Sequence, residues 1–328
     1  MRLAIGFNPV ISASEMAAVA TRAEQAGFES LWMHESLFQR DVVTYIAAMV
    51  GTTHKIKLGS GIINTFTRHP VVAASTFATF SELSNGRVVF GLGLGSFPTI
   101  PLIGHQIFPV EKTRPLRRVQ EYLEVVRQVW KGGKVDYDGE FFHVHNLTLG
   151  FPVKSPIPVF IASLSPKTQE YAATVADGVI LSPALSTSLG TEAMIGNVKR
   201  GENRRGKNVE RASYIMTSVD PDPEKAVDSI RGYYFFLYQL AEVVKPQSLE
   251  PYDVKQDQLD ALKAAWTKGD IALARKLVPE SAINALAAVG KPDQVKDKLK
   301  EYVKAGVTLP IMMPIGNVDF AISSLAPS

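Results

Sequence analysis

Apolar runs of strand length alternate with segments of helical period from one end of the chain to the other, and few architectures accept that order. Strand candidates occupy 3–7, 30–34, 56–63, 88–93, 158–164, 179–182, 213–219 and 309–314, about eight in all. Helical segments lie between them at 13–27, 42–51, 70–83, 115–130, 166–176 and 293–305. In the first of these, Met16, Val19, Ala20 and Ala23 recur at helix spacing. Strands joined through helices run parallel, and the helices cover the sheet. The fold class is therefore α/β. About eight such units favour closure into a (β/α)8 barrel; an open doubly wound sheet is the alternative, because sequence shows strands but not their order.

The connections add detail. Three helix-to-strand joints share a pattern: "QAGFESLWM" from Gln25, "VADGVILSP" from Val175 and "KAGVTLPIMM" from Lys304. Each places a glycine where a helix C-terminus takes a positive φ. The opposite connections include two long insertions, at about 97–112 after the fourth strand and at about 220–290 after the seventh. The second is itself helical, with "YYFFLYQL" from Tyr233, and reads as a lid over the C-terminal mouth of the barrel. Within a third insertion, at about 135–150, "VDYDGEFFHVHNL" reads as a hairpin turning at Asp138-Gly139. Its His143 and His145 share one side of a strand, have no third ligand nearby, and read as paired surface histidines; no metal is expected. The whole of 1–328 reads as one barrel domain carrying these insertions.

Composition narrows the function classes. No run of about 18 apolar residues could span a membrane, and the chain is 46% hydrophobic and 20% charged. Met1-Arg2-Leu3 enters an apolar run directly, without the order of a secretory signal, so a cytoplasmic protein is expected. The absence of cysteine excludes disulfides, thiolate metal sites and a thiol nucleophile. A formal charge of +3 is too small to argue for nucleic acid but does not oppose an anionic small molecule.

Motifs for familiar chemistries are missing or broken. "GLGLGS", from Gly91 to Ser96, lacks the third glycine of the dinucleotide fingerprint, and no helix opens directly after it. There is no Walker A sequence, no H-E-x-x-H pair and no G-x-S-x-G elbow. What stands out is "IKLGSGIINTF", a strand interrupted by Gly59 and Gly61. Glycine inside a strand marks a bulge or a close approach to the backbone. With Gly93 and Gly95 ending the next strand, these glycines suggest a flat slot, free of side chains, that fits an isoalloxazine-type ring.

Six ordered segments carry a family resemblance: "LWMHES", "RDVVTYIAAM", "IKLGSGIINTFTRHP", "SELSNGRVVFGLGLGS", "RPLRRVQEYLEVVRQVWKGGKVDYDGEFF" and "PVFIASLSPKTQEYAATVADGVILS". Together they resemble the bacterial-luciferase-like flavin and deazaflavin oxidoreductases, and most closely the coenzyme F420-dependent branch that includes methylenetetrahydromethanopterin reductase. The resemblance implies a TIM barrel with the ring at the C-terminal ends of the strands. It implies hydride transfer between the deazaflavin C5 and a small organic or pterin-like substrate, and, by analogy, a homo-oligomer. In that branch the third strand often has a non-prolyl cis peptide, and Gly61-Ile62 is the matching bond. Glu35 matches an acidic residue beside the ring and is the candidate proton donor. His34 precedes it, while Ser36 stands where the family often has histidine; Arg40 is a candidate partner for Glu35. Asn64 and Thr65 follow the bulge as ring contacts, with Gly93 and Gly95 beside them. Ala162, Ser163, Leu164 and Ser165, at a strand end leading into a helix, offer backbone N–H groups to a phosphate; Lys167 and the basic run 199–208 add charge. One departure stands out: Gly6 occupies the first-strand position where methanopterin reductases carry a glutamate. The alternatives are an FMN-dependent monooxygenase and a non-catalytic flavin-binding barrel.

Overall fold

The computed structural model describes residues 1–36, 39–95, 100–104, 113–181 and 186–327. The chain parts into two compact units, Phe7–Val179 with Val198–Val209, and Met1–Gly6 with Ile180–Asn197 and Glu210–Ser328. It opens on strand β1 (Ala4–Phe7), buried along its whole length.

The unit that follows contains α1 (Ala13–Gln25), β2 (Ser30–Met33), α2 (Val42–Val50), β3 (Lys57–Ser60), β4 (Ile63–Asn64), α3 (Pro70–Leu83) and β5 (Val88–Gly93). It continues through α4 (Pro115–Lys131), β6 (Lys134–Asp138), β7 (His143–Thr148), β8 (Val159–Ala162), α5 (Pro166–Val175) and β9 (Gly178–Ile180). The strand order is β2-β3-β5-β8-β9, with β2–β3, β3–β5 and β5–β8 parallel. Local chemistry starts the helices. Ser12 and Glu15 form a reciprocal capping box for α1, Asp41 accepts the Thr44 N–H at 2.9 Å to cap α2, and prolines open α3, α4 and α5. The strands read as continuous apolar runs because both faces are covered. Trp32 meets Phe160 at 5.1 Å between ring centroids, and Phe90 lies between Phe77 at 4.7 Å and Trp130 at 5.6 Å.

The strand expected over 56–63 is two strands. β3 pairs with β5 at Leu58↔Val88 and Gly59↔Val89, and β4 resumes at Ile63↔Leu92 and Asn64↔Gly93. From 59 to 63 is four steps and from 89 to 92 is three, so one extra residue is inserted: a β-bulge. The peptide Gly61-Ile62, inside it, is cis. The Ser60 hydroxyl replaces the missing ladder bonds, donating to the Gly91 carbonyl at 3.0 Å and accepting the Gly91 N–H at 2.9 Å.

β6 and β7 form the expected antiparallel hairpin. It is fastened to α4 by the fully buried Glu121, which accepts the Glu140 N–H at 2.9 Å, the Phe141 N–H at 2.8 Å and Arg117 Nε at 2.7 Å. His143 and His145 both lie beside Asp138, at 3.2 and 3.4 Å.

The other unit comprises β1, α6 (Ser188–Arg205) in part, β10 (Glu210–Val219), α7 (Pro223–Arg231), α8 (Tyr234–Glu242), α9 (Gln256–Thr267), α10 (Ile271–Lys276) and α11 (Glu280–Leu286). Then come β11 (Ala287–Gly290), α12 (Pro292–Lys304), β12 (Leu309–Pro314) and α13 (Val318–Ser324). Its strand order is β11-β10-β12-β1, all parallel. The insertion at 220–290 is helical, as expected, but it ends in β11, an additional strand beside β10. Phe236, Leu240, Leu262 and Ile283 give this insertion its own core, so "YYFFLYQL" serves packing. Of the insertion at 97–112, only 100–104 falls within the described residues.

Two of the three joint glycines have the expected backbone, Gly27 at φ +87° and Gly306 at +110°. Gly178 does not take a positive φ. A Cβ there would enter the Phe160 ring, so packing rather than backbone conformation requires glycine at that joint.

Candidate active site

In the unit built on β2 to β9, the C-terminal ends of β2, β4, β5 and β8 bring the candidate residues to one edge of the sheet. Glu35 follows β2, Asn64 ends β4 and Thr65 follows it, Gly93 ends β5, and Ala162 ends β8 ahead of Ser163, Leu164 and Ser165. The bulge ties these together. The Asn64 N–H donates to Glu35 Oε2 at 2.7 Å, and the Asn64 side-chain oxygen accepts the Phe66 N–H at 2.8 Å. The Thr65 N–H donates to the Gly93 carbonyl at 3.1 Å. Thr65 is buried, and its hydroxyl has no hydrogen-bond partner among the described residues.

Glu35 is a largely buried carboxyl with one strong donor. Burial pushes its pKa up to about 7; the Asn64 N–H and the Arg68 guanidinium pull the other way. Arg68 Nε stands 3.6 Å from Glu35 Oε1, and the Thr67 hydroxyl is 3.5 Å from Oε2. Near neutral pH such a group can hold or release a proton. His34 is also buried, and burial lowers its pKa to about 4. Its Nδ1 lies 2.8 Å from the Asn8 side-chain oxygen, so Nδ1 carries the proton of a neutral ring and Nε2 is the acceptor.

Behind Glu35 lies a layer from α4. Tyr122 is fully buried, with its phenol pKa raised by burial and next by Glu35. The Arg118 guanidinium sits over the Phe66 ring at 4.1 Å, with Phe141 and Phe142 at 5.0 and 5.2 Å. Burial depresses its pKa. Arg118 thus holds the loop after the bulge against the hairpin tip.

Several expectations are corrected. The glycines do not leave a slot free of side chains: a Cβ on Gly93 would lie 3.0 Å from Ile62 Cγ1, and one on Gly95 would strike the Asn64 amide. They make room for Ile62, which is partly exposed, and for the buried Asn64 beneath it. Gly59 accommodates the Trp32 ring, where a Cβ would lie 2.6 Å from Cδ2. Arg40 is not the partner of Glu35; it donates to the Val10 carbonyl at 2.7 Å. The basic run 199–208 is partly engaged, since Arg200 and Arg204 both pair with Glu170 of α5. In the other unit, Gly6 leaves space for the buried Tyr214, whose Cδ1 would stand 3.1 Å from a Cβ there. A larger side chain at 6 requires Tyr214 to move.

Arg68, Asp41, Arg118 and Tyr122 were not foreseen. Arg68 lies within "TRHP", close after the bulge in sequence, but nothing in that segment marks it as facing Glu35. Arg118 and Tyr122 reach the site only through the packing of α4.

At the phosphate end, Ser165 is the N-cap of α5 but makes no side-chain cap bond. Its N–H donates to Ser163 Oγ at 3.0 Å, and Gln169 Nε2 fixes the Ser163 carbonyl at 2.8 Å. The first-turn amides of α5 thus keep their capacity for an anion.

A family model described as luciferase-like monooxygenase matches residues 4–309. The chain belongs to that family. It is 32% identical to a 5,10-methylenetetrahydromethanopterin reductase of Archaeoglobus fulgidus, over 96% of this chain and 94% of the relative. It is 26% identical to an F420-dependent glucose-6-phosphate dehydrogenase of Amycolatopsis mediterranei, over 89% of this chain and 86% of the relative. The solved coenzyme F420-dependent tetrahydromethanopterin reductase from Methanopyrus kandleri matches with a TM-score of 0.87 at 26% identity, covering 99% of this chain and 98% of that one. The resemblance read from the six motifs therefore holds, and the fold is the luciferase-like (β/α)8 TIM barrel rather than an open doubly wound sheet. The helical insertion follows β10.

Proposed function

We propose that this chain is a coenzyme F420-dependent oxidoreductase that moves a hydride between the deazaflavin C5 and a small organic or pterin-like substrate. The observation that carries the proposal is the largely buried Glu35 carboxyl, bonded at 2.7 Å to the Asn64 N–H that follows the cis bulge. The relatives support the choice of cofactor, since two distinct activities among them share coenzyme F420 in their printed names. The buried, unpartnered Thr65 hydroxyl and the uncapped first turn of α5 are compatible with a ring and a phosphate, respectively.

When bound, the deazaflavin supplies the hydride-accepting or hydride-donating carbon. The protein's part is positioning, water exclusion and proton management. Ile62 would line the ring site from the bulge, Asn64 would brace it from beneath, Thr65 would supply a hydroxyl, and Gly93 and Gly95 leave room for Ile62 and Asn64. Ala162, Ser163, Leu164 and Ser165 form the anion end. Glu35 holds or moves the proton at its carboxyl oxygen; His34, kept neutral, anchors Asn8 next to it. The methylenetetrahydromethanopterin reductases among the relatives favour a pterin-like substrate; Gly6 in the first strand argues for a substrate set of this chain's own. The family match spans both compact units, which supports one barrel domain over 1–328 with the insertion at 220–290 as its lid. A cytoplasmic homo-oligomer completes the reading; no helix among the described residues is long and apolar enough to cross a membrane.

The test is equilibrium titration of the purified protein with coenzyme F420 and with FMN, followed by anaerobic hydride exchange with methylenetetrahydromethanopterin. Binding of coenzyme F420 with exchange at C5 is expected. Tight FMN binding without coenzyme F420 binding overturns the proposal in favour of the monooxygenase, and binding of either without exchange points to the non-catalytic barrel.

A further inference from the structure

We propose that Asp41 is a positioning residue for Glu35, acting through the single guanidinium of Arg68 that the two carboxylates share. This rests on the reading of Glu35 as the proton-handling group. Arg68 Nη2 is hydrogen-bonded to Asp41 Oδ1, while its Nε faces Glu35 Oε1 at 3.6 Å, beyond hydrogen-bond reach. The guanidinium is therefore committed to Asp41 and only leans toward Glu35.

Asp41 cannot follow Arg68 if the latter moves. Its other oxygen, Oδ2, accepts the Thr44 N–H at 2.9 Å and the Thr44 hydroxyl at 3.0 Å, fixing it as the cap of α2. One positive charge faces two negative ones, and the two sites differ in solvation. The Asp41 side chain is 44% exposed and that of Glu35 10%, so desolvation falls on Glu35 and raises its affinity for a proton. The remaining groups around Glu35 do not supply a competing counter-charge. His34 is neutral, the Tyr122 phenol is held protonated by burial, Arg40 is engaged at Val10, and Arg118 is held over Phe66. Asp41 itself raises the proton affinity of Glu35 and Arg68 lowers it.

Asp41→Asn is a clean probe, because asparagine caps a helix about as well as aspartate while giving up its claim on Arg68 as an ion. Arg68→Met removes the shared cation. The readout is the titration midpoint of Glu35 itself, followed by carboxyl 13C NMR in glutamate-labelled protein and assigned by the signal lost in Glu35→Gln, alongside the pH profile of turnover. Asp41→Asn is expected to lower the midpoint by about one unit, and Arg68→Met to raise it. In the Arg68→Met background the Asp41 effect should shrink to the direct repulsion between the two carboxylates, since the cation it acts through is gone. An unchanged midpoint in Asp41→Asn, or a full Asp41 effect persisting without Arg68, overturns the proposal. A moved midpoint with an unmoved pH profile supports the shared guanidinium and overturns instead the proton role of Glu35.

Discussion

A carboxyl at the end of a strand acquires its chemistry from what surrounds it, and Glu35 shows how few contacts are needed. Burial raises its pKa from 4.5 to about 7, with the Asn64 N–H and Arg68 restraining the rise. The folded state thus binds this proton more tightly than the unfolded chain does. The contribution to stability is complete below about pH 4.5 and is lost as pH rises through about 7. Glu35→Gln removes that loss. Denaturant unfolding at pH values on either side of this window should show the variant gaining on the parent with rising pH, by up to about 3 kcal/mol. Parallel curves would mean that Glu35 is already ionised in the folded protein. Turnover by the same variant should fall by about 10²–10⁴-fold while coenzyme binding persists. The position of Glu35 was legible in "LWMHES"; its partner was not, because Arg68 reaches it across the bulge while Arg40, nearer in sequence, turns to Val10.

The bulge is the element on which the site stands, and a single hydroxyl holds it. Ser60 satisfies both the N–H and the carbonyl of Gly91 in a fully buried place. Ser60→Ala leaves two buried backbone groups unpaired, a loss of about 1–3 kcal/mol for each. Thermal unfolding should register it, and coenzyme affinity should weaken with it, whereas unchanged affinity would separate the bulge from the ring site. The hairpin β6–β7 depends in the same way on Glu121. Glu121→Ala strands the amides of Glu140 and Phe141 and should cost about 3 kcal/mol. Hydrogen exchange should quicken at those two amides, and equal protection in parent and variant would show that the hairpin holds without its anchor.

Across the whole molecule, a match to one family from residue 4 to residue 309 spans both compact units. Function on such a fold belongs to residues grafted onto it. The relatives differ in what their names say they act on, while the barrel is held constant. Gly6, whose space the Tyr214 ring fills, is a position at which to test substrate choice. The competition between coenzyme F420 and FMN remains the measurement that separates the possible chemistries at this scale.

The alternation of periods fixed the α/β class and about eight strands, because a side chain's burial repeats every second residue in a strand and every third or fourth in a helix. Ordered motifs fixed the family, and the glycines of "IKLGSGIINTF" marked where the bulge lies. Periodicity carries no information on which side chain fills the space a glycine leaves. Only the folded chain assigned Gly59 to Trp32, Gly93 to Ile62 and Gly178 to Phe160, and only it replaced the flat slot by a surface of side chains. The same holds for charge: which cation meets Glu35, and which carboxylate competes for it, follows from distances between segments far apart in sequence, and tertiary packing alone sets those.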